Sequence, residues 1–264
     1  MKRQKQQLKK RVASSYRITA VLVLLVAMTM GCSRTTHVAS VEVTHSSISE
    51  MDEDARINDM IEPYKEVMDA EMDVVIGVCA KTLEKGRPES TMGNWVADLL
   101  VERTSAKYGQ TIDFAIQNQG GLRINALGAG EVTIGKLYEL MPFDNMIVVL
   151  HMRGDSLMRL FDHMARSQGW PISSEVRYTI SGDKATDVHI HGEPLQSDHI
   201  YKFGLPDYIA NGGDRCTFLA NADKRVDLDY LVRDAIIDHV RILTREGREM
   251  VSKEDGRVTN TGNE

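Results

Sequence analysis

Apolar positions recur at helical spacing in five stretches of the chain and alternate, or run together, at strand spacing in most of the others. In residues 49–69, Ile57, Met60, Ile61, Tyr64, Val67 and Met68 share one helical face, and Pro63 is expected to kink or split that helix. Residues 73–83, "DVVIGVCAKTL", read as a strand. Ser90 or Thr91 stands where an N-cap belongs, ahead of Met92, Trp95, Val96, Leu99 and Leu100 on one helical face. Residues 111–117 form a strand, 133–143 a short helix running into a loop, and 145–154 a buried strand. A helix over 155–166, with Asp155 as its cap, precedes a hairpin over 176–195 and a strand over 201–206. The last helix is expected over 227–245, with Leu228, Leu231, Val232, Ala235, Ile236, Val240 and Leu243 inward. Helices and strands mix without a strict βαβ rhythm, which predicts an α+β fold: a mixed β-sheet with packed helices.

The first residues differ from all of this. Seven Lys or Arg and no acid are followed by an apolar run from Ile18 to Met30 that ends in "TMGC". That is the layout of an export signal, and the run is short of the roughly twenty residues a bilayer span needs. The ending resembles a bacterial lipobox, so residues 1–31 are expected to be a signal peptide and Cys32 the lipidated new N-terminus. Residues 32–49, rich in Ser, Thr and His, read as a tether, and 50–264 as one domain. The chain is expected to be an exported lipoprotein of a bacterial cell envelope, held to the membrane by its lipid.

Loss of that leader takes the net charge from −6 to −13. So acidic a chain argues against nucleic acid as a partner, and any anion must be bound locally. Cys79 and Cys216 allow one disulfide at most, and no Cys/His spacing suggests zinc. Asp187, His189 and His191 in "DVHIH" would share a strand face, but matches this short arise often by chance, and an exposed hairpin is the better reading. Methionines such as Met60, Met68, Met92, Met141, Met158 and Met164 read as core filling.

Three loops at element ends carry the candidate chemistry: "NQGGLR" (118–123), "MPFDN" (141–145) and "LPDYIANGGDRCTF" (205–218). With "ESTMGN" (89–94) ahead of them and "DGRV" (255–258) behind, their order and spacing resemble the C-terminal, substrate-binding domain of the 5′-nucleotidase family across residues 73–258. The resemblance implies that Asn118 contacts the base or its surroundings, that Arg123 meets phosphate and that Phe143 stacks on the base. Physics suits each role: a guanidinium grips phosphate oxygens bidentately, and an aromatic face stacks on a nucleobase. Gly120, Gly121, Gly212 and Gly213 would let backbone N–H groups approach an anion, while Asn211 and Asp214 serve either the turn or the ligand.

The departures are specific. The resemblance implies a second aromatic just after "NGGD", where this chain has Arg215 and Cys216; Phe218, two residues on, is the candidate replacement. An arginine is implied just upstream of "ES", where Pro88 takes the matching place and Arg87 is offset. The family's metallophosphatase domain, which holds two metal ions, has no counterpart before Ser90. No catalytic residue or cofactor is therefore expected in this chain, and divalent metals are expected in a partner. Two functions follow: the nucleotide-recognition half of a 5′-nucleotidase-type hydrolase acting with a separate metallophosphatase subunit, or a non-catalytic exported binding lipoprotein for nucleotides or nucleosides.

Overall fold

A computed structural model describes residues 55–262, so the expected signal peptide, the tether and lipidation at Cys32 lie outside the described residues. The centre is a four-stranded sheet built from β3 (Phe114–Ala115), β6 (Met146–Arg153), β10 (Ile200–Pro206) and β11 (Lys224–Leu231), in the order β11-β6-β10-β3. Only the β10–β3 pairing is parallel. Around it lie α1 (Ala55–Met72), α2 (Thr91–Tyr108), α3 (Ile134–Leu140), α4 (Gly154–Arg166), α5 (Asp207–Ala210) and α6 (Val232–Arg245). A second sheet, β12-β7-β8-β9, comprises β7 (Val176–Ser181), β8 (Lys184–Ile190), β9 (Glu193–Pro194) and β12 (Val258–Asn260). Two ribbons, β1 (Val75–Cys79) with β5 (Gly130–Thr133) and β2 (Leu83–Glu84) with β4 (Ala126–Leu127), complete an α+β fold with mixed sheets.

Strand β6 shows why two cores form. Its side chains alternate, so Ile147 and Val149 enter a cluster with Trp95, Leu100, Leu137, Ile236 and Val240, while Val148, Leu150 and Met152 enter one with Phe114, Phe161, Phe203 and Tyr178. A strand buried on both faces reads as a continuous apolar run, which is what "MIVVL" is. On the second face, Phe114 and Phe203 sit on paired strands and stack with ring centroids 5.0 Å apart. Helix α4 packs against both β6 and β8, joining the central sheet to the second one.

Helix α2 begins where expected, with Ser90 Oγ accepting from Gly93 N–H at 3.1 Å. The C-terminal tail fastens that same corner. The buried Arg257 donates to Asp98 Oδ1 (2.7 Å) and Oδ2 (3.2 Å), to Asp255 Oδ1 (3.1 Å) and Oδ2 (2.9 Å), and to the Ile172 carbonyl (3.0 Å). Glu89 Oε1 accepts from Asn94 Nδ2 and from Asp255 N–H.

Several expectations are corrected. Helix α1 runs unbroken through Pro63, and its apolar stripe is exposed, Met60 at 70% and Tyr64 at 73%. The carbonyl that proline leaves without a donor belongs to the exposed Asp59, where water can serve it. Met60 and Met68 are accordingly not core, whereas Met92, Met141 and Met164 are. The strand expected over 73–83 is two short ones, and that over 111–117 shrinks to two residues, with Ile116 bridging Ile172. Asp155 does not cap α4. The helix starts at Gly154, and the N–H groups of Gly154 and Asp155 donate to the His199 and Ser197 carbonyls. The last helix starts at Val232; residues 224–231 are an edge strand with a bulge after Asp227 and a left-handed Asp229 (φ 52°). Positive φ at Asp187 (51°) and His191 (55°) breaks the alternation that would put them on one face with His189. Both Cys79 and Cys216 are free, buried thiols, and burial pushes the Cys216 thiol up to about 12. No helix among the described residues is long and apolar enough to cross a membrane.

Candidate functional site

Strand direction brings the three loops together. Strands β3 and β10 are parallel, so the chain leaves both at the same end of the sheet, into residues 117–123 and 207–214. Strand β6 is antiparallel to β10, with Ile147 opposite Pro206, so residues 141–145 enter β6 at that end too. Between the loops is a hollow of about 330 Å³ lined by Asn118, Gly120, Gly121, Arg123, Phe143, Asn145, Tyr208 and Asp214.

The first loop is held by backbone and amide bonds. Arg123 N–H donates to the Leu140 carbonyl, Gln119 Nε2 to the Gly86 carbonyl at 2.8 Å, and Lys85 Nζ to the Leu122 carbonyl at 2.7 Å. Burial, reinforced by Arg123 and Arg87, holds the Lys85 ammonium below the usual lysine range. Gly121 is required by close approach: a Cβ there would lie 1.9 Å from Gln117 Nε2 and 2.8 Å from Asn118 Oδ1. Asn118, only 4% exposed, accepts from Gln117 Nε2 and donates through Nδ2 to Asp214 Oδ2 at 2.6 Å, bonding the first loop to the third. The Arg123 guanidinium is exposed, 5.5 Å from the Phe143 ring centroid.

Phe143 is 41% exposed on a loop that a buried arginine fixes. Arg233 Nη2 donates to Asp144 Oδ1 at 2.6 Å, Nη1 reaches the Phe143 carbonyl at 3.4 Å, and the guanidinium lies 4.2 Å from the Tyr138 ring centroid. In the third loop the Tyr208 hydroxyl donates to Asp214 Oδ1 at 3.1 Å. The tyrosine ring lies against the backbone of Gly213, where a Cβ would be 2.5 Å from both the ring and the Tyr208 carbonyl oxygen. Asp214 (φ 49°) and Arg215 (φ 67°) follow in left-handed conformations, a local cost of the kind that clusters at binding sites.

Residues 74–221 match the profile of the 5′-nucleotidase C-terminal domain. The chain belongs to that family. Its sequence is 29% identical over 175 residues to a 5′-nucleotidase of Vibrio vulnificus, covering 63% of this chain and 30% of that protein. Against protein UshA of Escherichia coli identity is 23% over 201 residues, covering 73% and 35%. The chain thus spans about a third of the length of these relatives. A 5′-nucleotidase precursor from Thermus thermophilus superposes with a TM-score of 0.68 at 25% identity, covering 78% of this chain and 43% of that one. The Haemophilus influenzae NAD nucleotidase shares the fold, with a TM-score of 0.56 at 19% identity.

Within this 5′-nucleotidase C-terminal domain, the structure gathers Asn118, Gly120, Gly121, Arg123, Phe143 and Asp214 around one hollow. Four expected residues stand elsewhere. Asn211 accepts from Arg225 Nη1 at 2.7 Å and faces β11, and Gly212 (φ 94°) and Gly213 shape the turn without lining the hollow. Phe218 does not line it either. Its ring packs 6.0 Å from that of His163 with Arg159 5.1 Å over it, while Cys216 is fully buried. The second aromatic wall is Tyr208, which precedes "NGGD" by three residues. A signal for it was present in the sequence, an aromatic flanked by a proline and a glycine pair at a strand end. Arg233 gave none, because an arginine one residue into a helix reads as solvated surface.

Proposed function

We propose that this chain is the nucleotide-recognition half of a 5′-nucleotidase-type hydrolase. A base would lie between Phe143 and Tyr208, and the phosphate would meet Arg123 and the backbone N–H of Gly120. The observation that carries this reading is one hollow with two aromatic rings, an exposed guanidinium and a bonded amide–carboxylate pair at its wall. Stacking on an aromatic contributes about 1–3 kcal/mol per base, and a charge-assisted phosphate bond about 1.5–3 kcal/mol. Asp214, held on its two oxygens by Asn118 and Tyr208, is an acceptor aimed where a sugar hydroxyl or base N–H can donate.

Among the described residues no group of three or more His, Cys, Asp or Glu side chains is placed to hold a metal ion. In the proposal the divalent metals that activate water belong to a metallophosphatase subunit that docks over the hollow. Export and a lipid on Cys32 are part of the same reading, supported by the basic and apolar leader pattern. The test incubates the purified chain with AMP and a divalent metal, alone and with a candidate metallophosphatase. Phosphate release from the mixture only is the expected result. Binding without release in both is the result of an exported binding protein, and absence of binding removes the nucleotide reading altogether.

A further inference from the structure

The hollow opens into a wider chamber of about 730 Å³, and Gly120 and Asp214 line both. The chamber has a different character. Three guanidinium groups reach it from three separate places: Arg87 from the loop before α2, Arg166 from the end of α4 and Arg215 from the turn after α5. All three are exposed, and among the described residues none of them has a carboxylate within ion-pair distance. Arg225, Arg233 and Arg257 are paired, with Asp227, Asp144 and Asp98, whereas Arg123, Arg159, Arg241 and Arg245 also lack such a carboxylate but stand apart from the chamber; what marks Arg87, Arg166 and Arg215 is that they share one. Asp214, the one acid on the chamber wall, is held on its two oxygens by Asn118 and Tyr208 and pairs with none of the three. His163 also lines the chamber, its imidazole held below the ordinary histidine value by burial and Arg166. Like charges converging without a counter-charge repel one another, an arrangement that an anion relieves. Arg215 is moreover aimed there by a left-handed backbone that a surface arginine has no reason to adopt.

We propose that this chamber holds a second phosphate group of the nucleotide whose base lies between Phe143 and Tyr208, so that nucleoside bis- or polyphosphates are ligands of higher affinity than monophosphates. The inference rests on the reading under Proposed function. A second phosphate can extend the 5′ chain or sit on the other side of the sugar, and both put a doubly charged group across the Gly120–Asp214 boundary.

Isothermal titration of the purified chain with AMP, adenosine 5′-diphosphate and adenosine 3′,5′-bisphosphate separates these cases. At least one doubly phosphorylated ligand is expected to bind about tenfold tighter than AMP, as one added set of charge-assisted bonds requires, and which one it is identifies the position of the second phosphate. In an Arg166→Gln/Arg215→Gln variant that advantage is expected to vanish while AMP affinity stays within about twofold. Both side chains are exposed and unpaired, so the variant should fold, and an unchanged thermal midpoint checks it. Equal affinity for all three ligands, with AMP binding abolished by Phe143→Ala, overturns this inference and leaves the nucleotide site standing. Retention of the advantage in the double variant overturns it as well, and failure of the unaltered chain to bind any of the three overturns both.

Discussion

Replacing Arg257 by methionine removes the buried cation at the centre of a carboxylate network. Its five N–H groups make five hydrogen bonds, to Asp98, Asp255 and the Ile172 carbonyl, so the side chain is saturated. Methionine fills similar space but takes all five donors away, leaving Asp98 with the Ser174 N–H on Oδ1 (2.8 Å) and Asp255 with the exposed Arg177 (3.6 Å). Breaking a fully buried pair from one side costs about 3–5 kcal/mol. The side chains of Asp98 and Asp255 keep 39% and 20% exposure, and water screens what remains, so the lower end applies, about 3 kcal/mol. That is a large share of the roughly 5–15 kcal/mol by which domains are stable. Urea unfolding at pH 7 measures it as a lower midpoint at unchanged slope. Acidity supplies a second check. Burial holds the Asp98 carboxyl above the usual range even with Arg257 opposing, and without that arginine it must rise further. The native variant then binds a proton before the unfolded chain does, so its stability gains as pH falls from 7 toward 5. For Asp255, burial raises the pKa but Arg257 and Arg177 together bring it below the usual value, so its contribution in the unaltered protein is complete above about pH 4 and lost only below that. The deficit should therefore shrink in acid. A cost under about 1 kcal/mol, or a deficit that grows as pH falls, would refute the reasoning.

Phe143→Ala and Tyr208→Ala should each weaken AMP binding about 5- to 150-fold by calorimetry, the equivalent of one lost stacking face. Arg123→Ala should weaken AMP about tenfold or more and leave adenosine nearly unchanged, so equal loss for both would deny it a phosphate role. Gly213→Ala should cost about 1–3 kcal/mol in urea unfolding and also weaken AMP, because the new methyl displaces the Tyr208 ring. His239, 8% exposed, is held below the ordinary histidine value by burial, which outweighs Glu102. Its contribution is complete above about pH 7 and is lost as pH drops through the unfolded value near 6.5, so His239→Gln should flatten the fall in urea midpoint between pH 7 and 5.

The fold was legible where one period dominates. Trp95, Leu99 and Leu100 on α2, or the unbroken apolar run of β6, have a single economical placement. Legibility failed where charge decides the outside of an element: "KRVDLDYL" alternates well enough for a strand, yet the helical stripe that follows it absorbs Leu228 and Leu231. The apolar stripe of α1 is a real period with no core beside it, and spacing alone cannot tell burial from exposure. At the site, Asn118, Arg123 and Phe143 could be chosen because each is costly for a turn to carry without use. The sequence points to Phe218 and not Tyr208 because the resemblance implies an aromatic after the glycine pair, whereas Gly213 clears space for the ring that comes before it.

The opposed running of β6 and β10, with β3 alongside, also decides what can be changed. Each loop is rooted in its own strand end, so the exposed Gly120, Phe143 and Tyr208, one from each loop, can be varied without uprooting the other two. A library randomised at those positions would remodel a single floor from three sides, and new binding preferences could be selected there while the two cores behind it stay as they are.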